Sequence, residues 1–230
     1  MSMNLQRRFI KMRKMILMML TLILVISGCS QFPLLSNLIE PSTENEEKEA
    51  DLADDFSDRK SGWEEVVASE GSAGYFNDTY QITVTYPNTD IFTTFTKTFI
   101  NSDVLVHVAR AAGGDDNNFG VICRFQGPEN FYAGQISSDG TAGIFKIENG
   151  KYQLLGHSFM VSAPAVLGGN GKNEIRFECI ENTLTLSVNG AIADTQLDES
   201  FKSGEVGLIA GILSDEVGVF QFDDLSAFMR

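Results

Sequence analysis

Tyr80-Gln81-Ile82-Thr83-Val84-Thr85-Tyr86 has a regular alternation that predicts the fold class. Apolar and polar residues alternate along it, as they do at residues 103–108, and a period of two is typical of a strand that buries one face. Similar patterns continue from residue 56 to the C-terminus, and almost nowhere does an amphipathic helical stripe exceed two turns. We therefore predict an all-β domain.

Turn residues separate the predicted strands at short intervals. Asp139-Gly140 and Asn189-Gly190 are dipeptides typical of tight hairpins. The clearest strand patterns cover residues 80–86, 103–108, 119–125, 131–137, 142–147, 152–155, 174–180, 183–188, 205–212 and 217–228. About a dozen strands exceed one flat sheet, so we predict a two-sheet antiparallel β-sandwich over residues 55–230.

The N-terminus has the pattern of an export signal. Five basic residues among the first 14 precede an apolar run at residues 15–26 that only Thr21 interrupts. A helix of about 12 residues spans about 18 Å, which is shorter than the ~30 Å hydrocarbon core of a bilayer. We therefore interpret this segment as a signal peptide and not as a membrane-spanning anchor.

Ile26-Ser27-Gly28-Cys29 follows the apolar run directly. It resembles the lipobox of bacterial lipoproteins, in which the cysteine sulfur receives a diacylglycerol and the preceding signal peptide is removed. The resemblance implies a signal peptide at residues 1–28, lipidation of Cys29, and an extracytoplasmic protein that the lipid anchor attaches to the bacterial cell membrane. An ordinary secretory signal with a chance cysteine is the alternative.

Acidic residues dominate the segment between the signal and the domain. Residues 44–55 contain seven Asp or Glu and a single Lys, and such a segment buries too little apolar surface to order itself. We predict a disordered acidic linker at residues 29–54. Five of the 17 basic residues lie in the signal, so the remaining chain has 12 basic and 31 acidic residues, a net charge of −19. That charge argues against a nucleic-acid partner.

Cys123 and Cys179 lie inside predicted strands and share their period with apolar neighbours. Both thiols should therefore point into the core. In an oxidising compartment they can form a disulfide, which would stabilise the domain by roughly 2–4 kcal/mol. Two unpaired buried thiols are the alternative.

Several short motifs resemble, in their order, the concanavalin A-like lectin/glucanase jelly roll. Within it, the order is most similar to laminin-G-like and 3-keto-disaccharide hydrolase-type domains. The motifs are Phe56-Ser57-Asp58, Gly62-Trp63, Phe119-Gly120-Val121-Ile122-Cys123-Arg124, Tyr132, Ile136-Ser137-Ser138-Asp139-Gly140, Asn173, Leu184, Val188-Asn189-Gly190, Gly204-Glu205-Val206-Gly207-Leu208 and Phe222-Asp223-Asp224-Leu225. In such a fold, Phe56 and Phe222 would belong to first and last strands lying side by side.

The resemblance implies recognition of a carbohydrate or a protein, or glycoside cleavage, and a fold alone does not decide between them. Related glucanases place their acids on one strand as Glu-x-Asp-x-x-Glu, and that run is absent from the sequence. Asp223 and Asp224 are adjacent, so on a strand they face opposite sides. The sequence therefore favours a binding module over an enzyme.

Sugar binding commonly uses an aromatic platform flanked by planar polar groups. The candidates for stacking are Trp63, Tyr132 and Tyr152, and the candidate hydrogen-bond donors are Arg124, Gln135 and Lys146. Each also has a structural interpretation. Trp63 would cover the edge of the sandwich, for example, and Arg124 would pair with Glu178 on the outer face.

Asp115 and Asp116 lie in a polar loop after Gly113-Gly114 and offer the oxygen ligands that Ca²⁺ prefers. Their spacing matches no EF-hand, and a solvated hairpin tip explains them as well. We predict neither a metal nor a cofactor. We predict a lipid-anchored module that binds a glycan or a cell-envelope partner without catalysis. A hydrolase of the 3-keto-disaccharide type and a structural domain of an envelope assembly are the alternatives.

Overall fold

A computed structural model of the protein describes residues 48–230. The predicted signal peptide, Cys29 and residues 29–47 of the predicted linker lie outside the described residues. None of the described residues forms a helix long and apolar enough to cross a membrane.

The described chain is built from strands. In chain order they are β1 (Leu52–Asp54), β2 (Val66–Val67), β3 (Gly71–Phe76), β4 (Thr79–Val84), β5 (Thr89–Phe99), β6 (Ser102–Ala112), β7 (Asn117–Phe125), β8 (Asn130–Ser137), β9 (Thr141–Glu148), β10 (Lys151–Leu154), β11 (Val161–Ser162), β12 (Asn173–Ile180), β13 (Thr183–Val188), β14 (Ala191–Leu197), β15 (Gly204–Ile212) and β16 (Gly218–Met229). The predicted strand patterns omit the longer strands β3, β5 and β14 as well as the short strands β1, β2 and β11.

The strands form two sheets in which every pairing is antiparallel. The first sheet has nine strands in the order β14-β13-β12-β6-β16-β4-β3-β2, with β1 beside β16. The second sheet has seven strands in the order β10-β9-β8-β7-β15-β5, with β11 beside β9. The predicted two-sheet antiparallel β-sandwich is confirmed.

The main hydrophobic core lies between the two sheets. Tyr80, Ile82 and Val84 of β4 are fully buried in it, whereas the alternate residues Gln81 and Thr83 are only partly buried. The alternation that predicts this strand therefore reports the face that it buries.

The chain connections follow the predicted turns. Asn189 and Gly190 join β13 to β14 and both have positive φ angles, 49° and 79°. These values are the left-handed conformations that a tight hairpin requires and that Asn and Gly tolerate best. Asp139 and Gly140 join β8 to β9, where the Asp139 carboxylate accepts a hydrogen bond from the Thr141 amide at 3.1 Å.

The first and last strands lie side by side, as the resemblance implies. Leu52 of β1 pairs with Ala227 of β16. The predicted disordered linker therefore extends too far, because residues 52–54 form a strand that pairs with the end of the domain. Phe56 follows β1 and does not belong to it. Its ring is buried, and its amide donates to the Asp54 carboxylate at 2.7 Å.

A disulfide between Cys123 and Cys179 links the sheets, because Cys123 lies on β7 of the second sheet and Cys179 on β12 of the first. Both residues are fully buried. The predicted pairing is confirmed, and it closes a loop with a sequence separation of 56 residues.

Candidate functional site

The outer face of the second sheet, which points away from the main core, is apolar. Five of its side chains are at most 1% exposed and form a second hydrophobic cluster, onto which three partly buried phenylalanines pack. The buried members are Ile122, Phe131, Ala133, Ile147 and Ile209, and the phenylalanines are Phe92, Phe125 and Phe145. A flat, solvated sheet would expose these residues, so this face must be sheltered by its own curvature and side chains.

The curvature also appears in the contact between the two edges of the sheet. Tyr152 lies on the edge strand β10 and Asp90 on the opposite edge strand β5. Both side chains nevertheless line one cavity, and the Tyr152 phenol lies close enough to affect the pKa of the Asp90 carboxyl. The outer face is therefore concave.

A cavity of about 360 Å³ opens at one end of this concave face, and we call it the concave pocket. Its lining combines amides, one carboxylate, two aromatic rings and aliphatic or thioether groups: Asn88, Thr89, Asp90, Asn117, Asn118, Phe145, Tyr152, Met160, Ile212 and Leu213. Such a mixture of apolar wall and few polar groups is typical of small-molecule sites.

The polar wall of the concave pocket is fixed by strand register. Gly211 of β15 pairs with Asp90 on one side and with Asn118 of β7 on the other. The Asn118 amide donates to the Asp90 carboxylate at 3.3 Å. A Cβ atom at Gly211 would overlap that carboxylate and would lie 2.8 Å from the Asn118 side-chain oxygen. Glycine is therefore required for the two polar groups to meet over the strand between them.

Burial sets the electrostatics of the pocket. Desolvation raises the pKa of Asp90, and the hydrogen-bonding groups of Tyr152 and Asn118 oppose this rise only in part. Burial and the neighbouring Asp90 carboxylate in turn raise the pKa of the Tyr152 phenol. No Lys, Arg or His lines the pocket in the described part of the chain, so Asp90 is its sole charge.

The apolar wall depends on a second glycine. A Cβ at Gly143 of β9 would lie 2.7 Å from Cδ1 of Leu154 and 3.3 Å from Cγ of Met160. The bare backbone therefore lets the segment after β10 pack down and place Met160 beside Phe145. Together with Tyr152, these side chains give the pocket its apolar surface.

Tyr152 is the only one of the six predicted ligand-binding residues that lines the concave pocket; its side chain is half exposed. Trp63 is a correction, since it is 4% exposed and packs against Phe56, Tyr80 and Phe95. A ring enclosed in this way stabilises the core and offers no platform.

Arg124 is a second correction. It is buried, and its guanidinium donates to the backbone oxygens of Phe201 at 2.8 Å and Cys179 at 3.1 Å. It does not pair with Glu178, whose carboxylate lies 3.3 Å from Arg176. Arg124 therefore holds segments together beside the disulfide.

Tyr132 and Lys146 are brought together, but on the core side of the second sheet. The buried Tyr132 hydroxyl and the Lys146 ammonium both bind the Asp198 carboxylate, and the Phe201 amide donates to the same hydroxyl at 3.1 Å. This arrangement fixes the connection before β15 and leaves neither side chain free for a ligand.

Gln135 stands on the concave face, paired between Gly120 and Gly143, and is 1% exposed. Its side-chain nitrogen has no hydrogen-bond partner in the described residues. It lies beneath the surface of this face and does not line the pocket.

The loop with Asp115 and Asp116 lies near the rim of the pocket. There the backbone oxygen of Asp116 accepts a hydrogen bond from the Leu213 amide at 3.0 Å. The Asp115 carboxylate forms an ion pair with Arg110 at 2.7 Å. The described residues contain no group of three or more acidic, His or Cys side chains suited to a metal ion.

The predicted site residues did not include Asp90, Asn118, Phe145 or Met160. Two features of the sequence do point to this face of the sheet. Residues 121–125 and 131–136 are almost continuously apolar, which indicates strands covered on both faces. Gly207 and Gly211 within β15 mark a close approach of other groups to the strand.

No protein-family model matches the chain, and no curated protein matches it by sequence. Solved structures do resemble it. The carbohydrate-binding module CBM66 from Bacillus subtilis is 17% identical, with a TM-score of 0.57 over 72% of this chain and 95% of that one. The Bacillus licheniformis β-glucanase is 11% identical, with a TM-score of 0.57 over 78% and 98%.

A prokaryotic β-1,3-1,4-glucanase (lichenase) derived from a mouse hindgut metagenome is 10% identical, with a TM-score of 0.58 over 78% of this chain and 99% of that one. Identities this low establish the fold and not the activity. The described domain has the concanavalin A-like jelly-roll fold that the sequence motifs imply.

Proposed function

We propose that the domain binds a carbohydrate in the concave pocket and does not cleave it. The observation that carries this proposal is the mixed lining of the pocket. Tyr152 and Phe145 present apolar ring surface, while Asp90 and Asn118 present hydrogen-bonding groups. A sugar ring has the matching character, with C–H groups on its faces and hydroxyls around its rim.

The resemblance to a carbohydrate-binding module and to glucanases supports the same class of ligand. It supports no particular sugar, because the identities are low. The pocket volume of about 360 Å³ suits one or two sugar units.

We further propose that the protein works outside the cytoplasm, attached to the bacterial cell membrane through a lipid on Cys29. The sequence around Cys29 supports this anchor, and the buried Cys123–Cys179 disulfide is typical of an oxidising compartment.

A glycoside hydrolase is the second candidate, and the environment of Asp90 favours it specifically. A carboxyl whose pKa is raised by burial resembles the general acid of such enzymes. The usual mechanism needs two carboxyls, however, about 5–5.5 Å apart in retaining enzymes and ~6.5–9.5 Å apart in inverting enzymes. Asp90 is the only carboxylate among the described residues that line the pocket, which favours binding.

The test uses the full chain in a detergent without sugar groups, applied to an array of glycans. We expect retention of at least one glycan, loss of that retention in Tyr152→Ala, and normal retention in Phe76→Ala. Phe76 is a matched control because it is a partly exposed aromatic residue on β3 of the other sheet. Release of new reducing ends from the retained glycan would instead support the hydrolase.

A further inference from the structure

Asp90 is a charge without a countercharge. It forms none of the ion pairs found among the described residues, and its polar neighbours are the Asn118 amide and the Tyr152 hydroxyl. Asp90 is partly buried, and a carboxylate that loses part of its contact with water costs free energy unless a cation or several hydrogen bonds compensate for it. The protein supplies hydrogen-bonding groups to Asp90 but no cation.

The rest of the pocket is suited to a cation. Tyr152 and Phe145 line it together with Asp90, and the faces of aromatic rings attract a positive charge within about 6 Å. The amide oxygens of Asn88 and Asn118 are further acceptors for an N–H donor. No basic group in the described chain lines the pocket to repel the charge.

The negative charge of the whole chain also favours a cationic ligand. The formal net charge is −14, and such a field concentrates cations and repels anions near the surface. Glycans that bear carboxylate, sulfate or phosphate would therefore meet repulsion both at long range and at Asp90.

We propose that the concave pocket selects a hexosamine with a free amine, whose ammonium group pairs with Asp90 beside the rings of Tyr152 and Phe145. This inference rests on the proposed glycan-binding function and deepens it. It names the class of sugar that would be preferred, and it excludes anionic sugars from the pocket.

The experiment measures affinity for sugars in three series, and the members of one series differ only in the substituent at C2. Gluco, galacto and manno disaccharides are each presented with a hydroxyl, an ammonium or an acetamido group, in 150 mM salt to suppress long-range attraction. We expect the full chain to bind one ammonium form at least about tenfold more tightly than its hydroxyl and acetamido counterparts, since charge-assisted hydrogen bonds are the stronger ones.

Two variants assign the preference to Asp90. Asp90→Asn should abolish the tenfold preference, while Asp78→Asn should retain it. Asp78 is a matched control because it removes the same charge from the exposed turn between β3 and β4, where its φ of 57° also suits Asn. Circular dichroism verifies that both variants are folded.

A third measurement needs no variant. In the wild-type protein, acidification should remove the preference as Asp90 takes up a proton, because the sugar ammonium keeps its charge at low pH. Tyr152 is the only other titratable group that lines the pocket within the described residues, and its phenol stays protonated throughout that range.

Different results would overturn the preference for an amino sugar and the proposal of glycan binding itself. Binding of hydroxyl or acetamido sugars without a preference for the amine would overturn this inference and leave glycan binding standing. An equal preference in wild type and Asp90→Asn would also overturn it. Binding of none of the nine sugars would overturn the inference, and loss of all retention on the wider glycan array would overturn the proposed function as well.

Discussion

Tyr152 and Asp90 lie on opposite edge strands of the second sheet, yet both side chains line the same pocket on its concave face. The sheet must therefore curl strongly, which explains why Ile122 and Ala133 in its centre are fully buried although they point away from the main core. The pocket exists because of this curl. Its polar group comes from one edge and its aromatic group from the other.

The contact between these residues predicts an effect on protonation. The Tyr152 hydroxyl lowers the pKa of Asp90 against the dominant effect of burial, so Tyr152→Phe should raise the pKa of Asp90 further. NMR titration of the carboxyl carbon measures this directly. An unchanged or lowered pKa would show that the hydroxyl does not interact with the carboxylate.

Gly211→Ala should abolish glycan binding while the domain remains folded. The new Cβ would overlap the Asp90 carboxylate, and we expect loss of glycan retention together with a destabilisation of about 1–3 kcal/mol from overpacking. Gly74→Ala on β3 is the control, since its Cβ would meet only the flexible end of Glu65 at 3.2 Å. Equal behaviour of the two variants in denaturation and retention would contradict the role given to Gly211.

The disulfide predicts a dependence of stability on redox state. Reduction of Cys123–Cys179 should lower the free energy of unfolding by roughly 2–4 kcal/mol, because the reduced unfolded chain gains conformational freedom. Chemical denaturation with and without a reductant measures the change. A double Cys→Ala variant should be destabilised similarly and should no longer respond to reductant; a response of that variant would point to another cause.

The cluster around Asp198 predicts acid sensitivity. Burial opposes its ionisation, but hydrogen bonds from Tyr132, Ser200 and Lys146 outweigh burial and lower the pKa of Asp198 to about 2. A lowered pKa in the folded state stabilises the protein above the unfolded value near 3.9, and this contribution disappears as the pH falls towards 2.

The lowered pKa of Asp198 contributes about 2 kcal/mol to the free energy of unfolding at neutral pH. Denaturation curves between pH 6 and pH 2 should therefore show a steeper loss of stability for wild type than for Asp198→Asn. Asp139→Asn is a control in an exposed turn on the same sheet. Parallel pH profiles for wild type and Asp198→Asn would refute the assignment.

The accuracy of the sequence-based predictions depended on whether the deciding information was local. The alternation at residues 80–84, the Asn189-Gly190 turn and the parity of the two core cysteines are properties of short segments, and each was confirmed. The strand ends at Val84, two residues before its predicted end, and Tyr86 is exposed. A strand that is apolar on one side reveals its buried face without knowledge of its neighbours.

The pocket depended on information that is not local. Tyr132 and Phe131 are adjacent on β8, and both are fully buried, one facing the core and the other the concave face. Since both faces of this strand are apolar, alternation cannot say which aromatic residue approaches a ligand. The meeting of Asp90 with Tyr152 depends on the strand order, in which β15 inserts between β7 and β5.

An NMR titration of the protein with a glycan that it retains tests whether the concave pocket is the binding site. We expect the chemical shifts that change to cluster at Asp90, Asn118, Phe145 and Tyr152, with the outer face of the first sheet around His107 and Glu174 unaffected. Changes centred on His107 and Glu174, with the concave pocket unmoved, would contradict the account.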